Sequence, residues 1–190
     1  METVILCGGK GTRLGPSGER DPKPLLEIGG SPILWHIMKI YAAQDHDRFI
    51  LCLGHLADRF REFAESLCEP WRVTLADTGL DTPTGGRVKR VEPQIEGDDF
   101  LVTYGDGVAD VDIRRLIEFH RDHGRIATVT SVRPRTPFGV MHVDSNNRVV
   151  TFDEKPLMKE RVNGGFFVFR RDVFRYLADD SILEPRVIAC

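Results

Sequence analysis

No stretch of this 190-residue sequence stays apolar over the ~20 residues that a membrane-spanning helix needs. The N-terminus also lacks the charged and apolar segments of a secretory signal, since Met-Glu-Thr leads straight into a strand-like run. The cytoplasm is therefore the expected compartment. Cysteine is scarce: Cys7, Cys52, Cys68 and Cys190 are all there is, and no two are spaced C-x-x-C. Cys7 and Cys52 fall inside apolar runs, where cysteine behaves as a small buried hydrophobe rather than a disulfide partner or zinc ligand. Charge of one sign is not in excess either. With 26 basic and 29 acidic residues and a net charge of −3, the chain is no electrostatic nucleic-acid binder, although a local basic pocket remains open to it. Repeats, linkers and low-complexity segments are missing too. Residues 1–190 therefore read as one domain, long enough to bury roughly 70% of its unfolded surface.

What the sequence does have is alternation. Apolar runs at Thr3–Cys7, Arg48–Leu53, Arg72–Ala76 and Phe100–Tyr104 predict strands, the first and second buried on both faces. Between them, Pro32–Ala43, Asp58–Ser66 and Gly85–Val91 carry apolar residues at helical spacing. Asp112–His123 predicts an amphipathic helix with Asp112 as its N-cap. The later part is richer in strands, at Ala127–Arg133, Phe138–Val143, Arg148–Phe152 and Gly165–Phe169, with a turn at Ser145-Asn146-Asn147. The pattern predicts an α/β fold: a doubly wound, mostly parallel sheet with a mixed, strand-rich second half.

The first strand runs into LCGGKGTRLGPSGERDPKPL, residues 6–25. A glycine-rich turn there lies at the carboxyl edge of the sheet, where open α/β sheets bind ligands, and Gly8, Gly9 and Gly11 let backbone N–H groups surround phosphate oxygens. The loop is neither a G-x-x-x-x-G-K-[ST] sequence nor a complete G-x-G-x-x-G, because Leu14 stands where a third small residue would be. Arg13 and Lys23 supply two cations within reach of a triphosphate. Pro22 and Pro24 predict that Lys23 sits in an extended, stiffened segment.

Three further clusters stand at strand ends. In Gly105-Asp106-Gly107 a carboxylate between glycines can hold Mg²⁺ against phosphate, or simply make a turn. In Glu154-Lys155-Pro156 a lysine can meet the phosphate of a second substrate while the glutamate accepts from sugar hydroxyls; an exposed turn is the plainer reading. Asn163-Gly164-Gly165 offers bare backbone again, or a plain turn before a strand. Elsewhere, His120 and His123 read as a surface helix face, and Lys89-Arg90 as a solvated one. Trp35 reads as core, while Trp71 suits core or site equally. No G-x-S-x-G supports serine hydrolase chemistry.

Taken in order, LCGGKGTRLGP, KPLLEIGG-SPILWHI, TYGDG, FGV, EKP and NGGFFVF resemble the sugar-phosphate nucleotidyltransferases. EPWRVTLADTG (Glu69–Gly79) and TPTGGRVKRV (Thr82–Val91), flanked by SPILWHIMKIY and TYGDGVADVDI, are most similar to the glucose-1-phosphate cytidylyltransferases among them. The similarity runs from Met1 to about Leu183.

The resemblance implies a Rossmann-like fold with a nucleotide-binding half at about 1–110 and a sugar-phosphate-binding half at 111–190. It implies in-line attack of a sugar 1-phosphate on the α-phosphorus of CTP, with Mg²⁺ as cofactor and no side-chain nucleophile. By position, Leu6, Gly8, Gly9, Gly11, Thr12 and Arg13 would form the triphosphate loop and Lys23 its stabilising cation. Thr82, Gly86 and Arg87 would read the base, with Gly105 beside them and Asp106 as the metal ligand. Gly139, Glu154, Lys155, Asn163 and Gly164 would hold the sugar phosphate. A homo-oligomer is implied as well.

This sequence is shorter than the family's between His55 and Cys68. It stops at Cys190, where the family continues into a region with a second Mg²⁺-binding aspartate, so it resembles a short form. The expectation is that CTP–Mg²⁺ binds and that turnover is slow, Glu184 being the only carboxylate among the last residues. Three readings follow: a cytidylyltransferase acting on a hexose 1-phosphate, the same chemistry with another base or a phosphorylated or phosphonate acceptor, and a non-catalytic nucleotide-binding homologue.

Overall fold

Strand β1 (Glu2–Leu6) is buried along its whole length, as a parallel strand covered by helices on both faces must be. The computed structural model, which describes residues 1–9 and 21–184, sets β1 between two parallel neighbours. These are β4 (Arg48–Leu53), with Thr3 opposite Phe49, and β6 (Asp99–Tyr104), with Thr3 opposite Leu101. Beyond β4 lies β5 (Arg72–Asp77), also parallel. On the other side, β10 (Val162–Arg170) runs antiparallel to β6 and is followed by β7 (Ala127–Val132). The order β5-β4-β1-β6-β10-β7 makes a mostly parallel sheet with a mixed extension, as the sequence predicts.

Side-chain alternation along these strands builds a core on each face. Val4, Leu6, Ile50, Cys52, Phe100 and Val102 face α3 (Thr84–Arg90) and the 3-10 turn Arg171–Arg175. Ile5, Phe49, Leu51 and Leu101 face α1 (Ile33–Ala42), α2 (Ala57–Ser66) and α4 (Ile113–His123). Helices on both faces explain why β1 and β4 read as continuous apolar runs rather than alternating ones. At the start of α4, Asp112 caps the helix by accepting from the Arg115 backbone N–H at 3.0 Å, and Gly124 closes it at φ 64°.

The chain divides into two compact units, Met1–Val129 with Gly165–Cys190, and Thr130–Gly164. The second unit carries an antiparallel hairpin of β8 (Val140–Val143) and β9 (Val149–Asp153), in which Met141 pairs with Phe152. The Asp144 carboxylate accepts from the backbone N–H groups of Asn146 and Arg148, so the predicted Ser145-Asn146-Asn147 turn is present.

Several local readings need correction. Lys23 is not extended: it opens a 3-10 turn, Lys23–Leu25, closed by Leu25 N–H donating to the Pro22 carbonyl at 2.8 Å. The φ that proline imposes suits a helical turn as well as an extended chain. A short hairpin of β2 (Glu27–Ile28) and β3 (Ser31–Pro32) turns on Gly29 and Gly30, both at positive φ. His120 does not lie on a solvated helix face but is buried under β7. Trp35 is only half-buried and packs on Trp71, which in turn meets Phe49 at the edge of the core. Among the described residues, no helix is long and apolar enough to cross a membrane.

Candidate active site

Parallel strands all end on one side, and the loops leaving β1 and β6 meet there. Gly105 N–H donates to the Leu6 carbonyl at 3.1 Å, joining the glycine loop to the Gly105-Asp106 turn. Over this junction opens a cavity of about 430 Å³, within the range of small-molecule sites. Leu6, Gly8, Gly9 and Lys23 line it from the first loop, and Gly105 and Asp106 from the end of β6. Thr82 and Arg87 line it from the segment that enters α3. Gly11, Thr12 and Arg13 lie outside the described residues.

Lys23 and Asp106 face each other in this cavity, with Nζ 2.6 Å from Oδ2. Both side chains are nearly half exposed, at 44% and 42%, and so remain open to a ligand. Cys7 also borders the cavity, and burial pushes its thiol well above the ordinary value, so no thiolate competes with phosphate there. Cys52, one strand over, is pushed up to about 12 by the same cause.

Arg87 is placed differently from a free phosphate-binding cation. It is buried, and its guanidinium donates to the Leu53 carbonyl (2.8 Å), Thr78 Oγ1 (2.7 Å), the Gly8 carbonyl (2.9 Å) and the Leu80 carbonyl (3.2 Å). One side chain thus ties the glycine loop, the end of β4 and the 78–82 loop together. Gly8 has to be glycine for this, because a Cβ there would stand 2.0 Å from Arg87 Nη1. Desolvation lowers the Arg87 pKa, the cost of burying a cation whose partners are neutral oxygens.

Arg90, one turn further along α3, donates to the Thr78 carbonyl (2.7 Å) and Thr82 Oγ1 (2.9 Å) and pairs with Asp179 (3.0 Å). Lys89 pairs with Glu92 and donates to the Phe174 carbonyl. The Lys89-Arg90 pair is therefore only partly solvated, since both side chains are engaged, and Arg90 shapes the loop that carries Thr82.

Gly86 stands apart from the cavity. Its N–H donates to the Ser181 carbonyl at 3.0 Å, and a Cβ on it would lie 2.1 Å from the Asp179 carbonyl oxygen. This glycine lets α3 approach the 178–181 segment.

That approach also brings in Glu184. Its carboxylate accepts from the Tyr104 hydroxyl and, at 3.4 Å, from Thr84 Oγ1, and both donors line the cavity. From the sequence, Tyr104 is read only with Gly105-Asp106-Gly107 and Thr84 only within Thr82–Val91, neither with a role of its own, and Arg90 is taken as solvated. The signals were faint: a polar residue ending a central strand before Gly-Asp-Gly, and a second arginine three residues after Arg87.

All the residues expected at the sugar phosphate fall in the second unit. Lys155 adopts φ 46°, an uncommon left-handed conformation for a non-glycine residue, and its Nζ lies 3.9 Å from Glu154 Oε1 with both side chains exposed. Its carbonyl accepts from Arg135 at 3.3 Å. Gly139 sits beside the Phe152 ring, Asn163 lies in β10, and Gly164 abuts Thr130.

Bare loop backbone beside a paired cation and carboxylate, at the carboxyl edge of a doubly wound sheet, defines an α/β protein built to bind nucleotide phosphates. The comparisons make this specific. Residues 2–186 match the nucleotidyl transferase family model, and the chain belongs to that family.

The chain is 42% identical to a glucose-1-phosphate cytidylyltransferase of Salmonella typhi, over 95% of this chain and 79% of the relative. It is 40% identical to a probable glucose-1-phosphate cytidylyltransferase of Bacillus subtilis, with the same shares covered. The crystal structure of HddC from Yersinia pseudotuberculosis complexed with GMP-PN superposes with a TM-score of 0.76 at 26% identity, covering 99% of this chain and 85% of that one.

Proposed function

We propose that this chain transfers CMP from CTP to glucose 1-phosphate, giving CDP-glucose and pyrophosphate. The observation that carries the reading is Lys23 facing Asp106 across the cavity under the glycine loop. An oxygen of the acceptor phosphate attacks the α-phosphorus, and the bond from that phosphorus to the bridging oxygen of pyrophosphate breaks. The phosphate is its own nucleophile, so the chain's work is positioning and neutralising charge. The Gly8–Gly9 backbone receives phosphate oxygens, Lys23 neutralises the charge that grows on the leaving pyrophosphate, and Thr82 lies where the base is read. Arg13 is assigned to the triphosphate beside Lys23. Lys155 and Glu154 are assigned to the phosphate and hydroxyls of the acceptor.

Asp106 fits a Mg²⁺ that arrives on the triphosphate, because this ion takes one or two carboxylates and completes its shell with phosphate oxygens and water. Its carboxylate is half exposed and already faces a cation, Lys23, that a triphosphate would draw away. Among the described residues no three metal-ligating side chains come together, so phosphate and water would supply the remaining ligands. When bound, the ion neutralises charge on the phosphates. A cytoplasmic, homo-oligomeric protein completes the reading, and light scattering checks the assembly.

Pyrophosphate release, assayed with a panel of triphosphates and sugar phosphates, tests the proposal. CTP with glucose 1-phosphate is expected to give the highest kcat/KM, and Lys155→Ala to raise KM for glucose 1-phosphate far more than for CTP. No turnover with any pair, or an equal rise in both KM values, overturns it. A second reading keeps the chemistry and changes the base, prompted by the GMP-PN in the Yersinia structure. The same panel decides it.

A further inference from the structure

The carboxyl end of β6 opens on the nucleotide cavity. Its other end, at Asp99, borders a second cavity of about 510 Å³. Five residue steps at ~3.3 Å each separate the two by about 17 Å along the strand. Nothing in the proposed reaction uses this second space.

Its lining is mixed in charge, and the charges are unevenly spent. Arg121 reaches it from α4, and Arg170, Arg171 and Arg175 from the end of β10 and the turn after it. Among the acids, Glu92 is paired with Lys89 at 2.7 Å, and Asp99 Oδ2 accepts from Arg121 Nε at 3.1 Å. Asp172 is held loosely: Arg170 Nη2 stands at 3.7 Å and Arg175 Nη2 at 3.4 Å, both beyond the ~2.7–2.9 Å of a charge-assisted hydrogen bond. Arg170 also gives Nη1 to the Gly124 carbonyl at 3.3 Å, yet both guanidinium groups, 46% and 81% exposed, keep further donors in hand.

The floor carries the second observation. His120 is 1% exposed, and its Nδ1 shares a hydrogen bond with Thr128 Oγ1 at 2.7 Å. The ring borders this cavity, and its Nε2 is buried with no hydrogen-bond partner among the described residues; Asp99 Oδ1, at 3.8 Å, is too far. Buried ring nitrogens are rarely left unpaired, because desolvation without a partner is costly.

We propose that this cavity is a second ligand site, binding a phosphorylated polyol with its phosphate on Arg170 and Arg175 and its hydroxyls toward His120 and Asp99. A phosphate monoester offers three acceptor oxygens to two guanidinium forks. Hydroxyl groups suit the unpartnered imidazole and the carboxylate, which accepts O–H. A longer polyanion such as a triphosphate is disfavoured, since Asp98, Asp99 and Asp172 would repel its outer charges.

Calorimetry with ribose 5-phosphate tests this, using the full chain carrying Lys155→Ala to silence the assigned acceptor residue. Saturable one-to-one binding is expected, with a shift of the His120 ring signals in ¹H–¹⁵N spectra. Arg170→Gln with Arg175→Gln should weaken binding by about tenfold or more. Asp172→Asn should tighten it by removing the competing carboxylate, a gain that misfolding cannot mimic. Ribose alone should give no heat, and inorganic phosphate should bind more weakly than ribose 5-phosphate. Binding that disappears with Lys155→Ala, or that ignores the arginine and Asp172 substitutions, overturns the site. Inorganic phosphate binding as tightly as ribose 5-phosphate overturns the polyol half of the proposal.

Discussion

Lys23 Nζ stands 2.6 Å from Asp106 Oδ2, joining two residues 83 positions apart at the mouth of the nucleotide cavity. With both partners more than 40% exposed, solvent screens the pair and it adds little to stability. Its value lies in placing opposite charges side by side where a triphosphate and its cation would part them.

Lys23→Ala and Asp106→Asn should therefore leave the thermal midpoint nearly unchanged while lowering kcat/KM by about 10²–10³-fold. Asp106→Asn should also flatten the Mg²⁺ dependence of turnover. Steady-state kinetics across a Mg²⁺ titration, beside a melting curve, check both; wild-type kinetics in either variant would remove that residue from the site.

Arg87 should behave in the opposite way. Arg87→Ala takes the guanidinium from the buried Gly8 carbonyl and unties three segments, while the Leu53 carbonyl keeps the Thr78 N–H and hydroxyl as donors, at a cost of about 2–4 kcal/mol. In a chain of this size that is a fall of roughly 5–15 °C in Tm. Arg87→Lys keeps the charge but cannot span four acceptors, so it should recover only part of the loss. KM for CTP should rise in both variants as the loop loosens, and a variant with native Tm would show that the hub is dispensable.

Gly86 and Gly9 separate packing from binding. A Cβ at Gly86 would meet the Asp179 carbonyl oxygen at 2.1 Å, so Gly86→Ala should cost about 1–3 kcal/mol in urea denaturation. Among the described residues a Cβ at Gly9 would meet nothing within 4 Å, so Gly9→Ala should stay within about 0.5 kcal/mol of wild type. Its turnover should nevertheless fall, because the added methyl would stand where phosphate is wrapped. Equal stability losses in the two variants would contradict this division.

Burial lowers the pKa of His120 below the ordinary imidazole value near 6.5, and Asp99 only partly opposes the shift. His46 is shifted the same way by the same cause. Between the lowered and ordinary values the unfolded chain holds more protons than the folded one, so stability rises with pH there and is lost as pH falls below about 6.5. His120→Gln should flatten this part of the profile, measured as the urea midpoint at several pH values between 5 and 7. An unchanged slope would mean that His120 does not titrate differently on folding.

Much of the fold was legible in the chain, because both-face burial makes a central parallel strand a continuous apolar run. Arg48–Leu53 was read to the residue for that reason, and Asp112 declared itself as a cap through its place ahead of an amphipathic stretch. The β2–β3 hairpin escaped because two-residue strands carry no measurable alternation. At the nucleotide cavity, Gly8, Gly9, Lys23 and Asp106 were legible as local motifs at strand ends.

Which of the motif's neighbours work on the ligand and which work on the protein could not be read locally. Gly86 and Arg87 are adjacent in the sequence, yet one presses against Asp179 and the other reaches back to Gly8. By itself the sequence determined the strand order's raw material and the glycine-rich turn after β1, since periodicity and glycine content act over a few residues. Only the tertiary structure decided that Arg87 is spent on four oxygens of the protein, that Glu184 answers Tyr104, and that His120 is buried with one nitrogen unpaired among the described residues. Each depends on contacts made across at least seven residues of chain, and packing rather than local propensity sets such contacts.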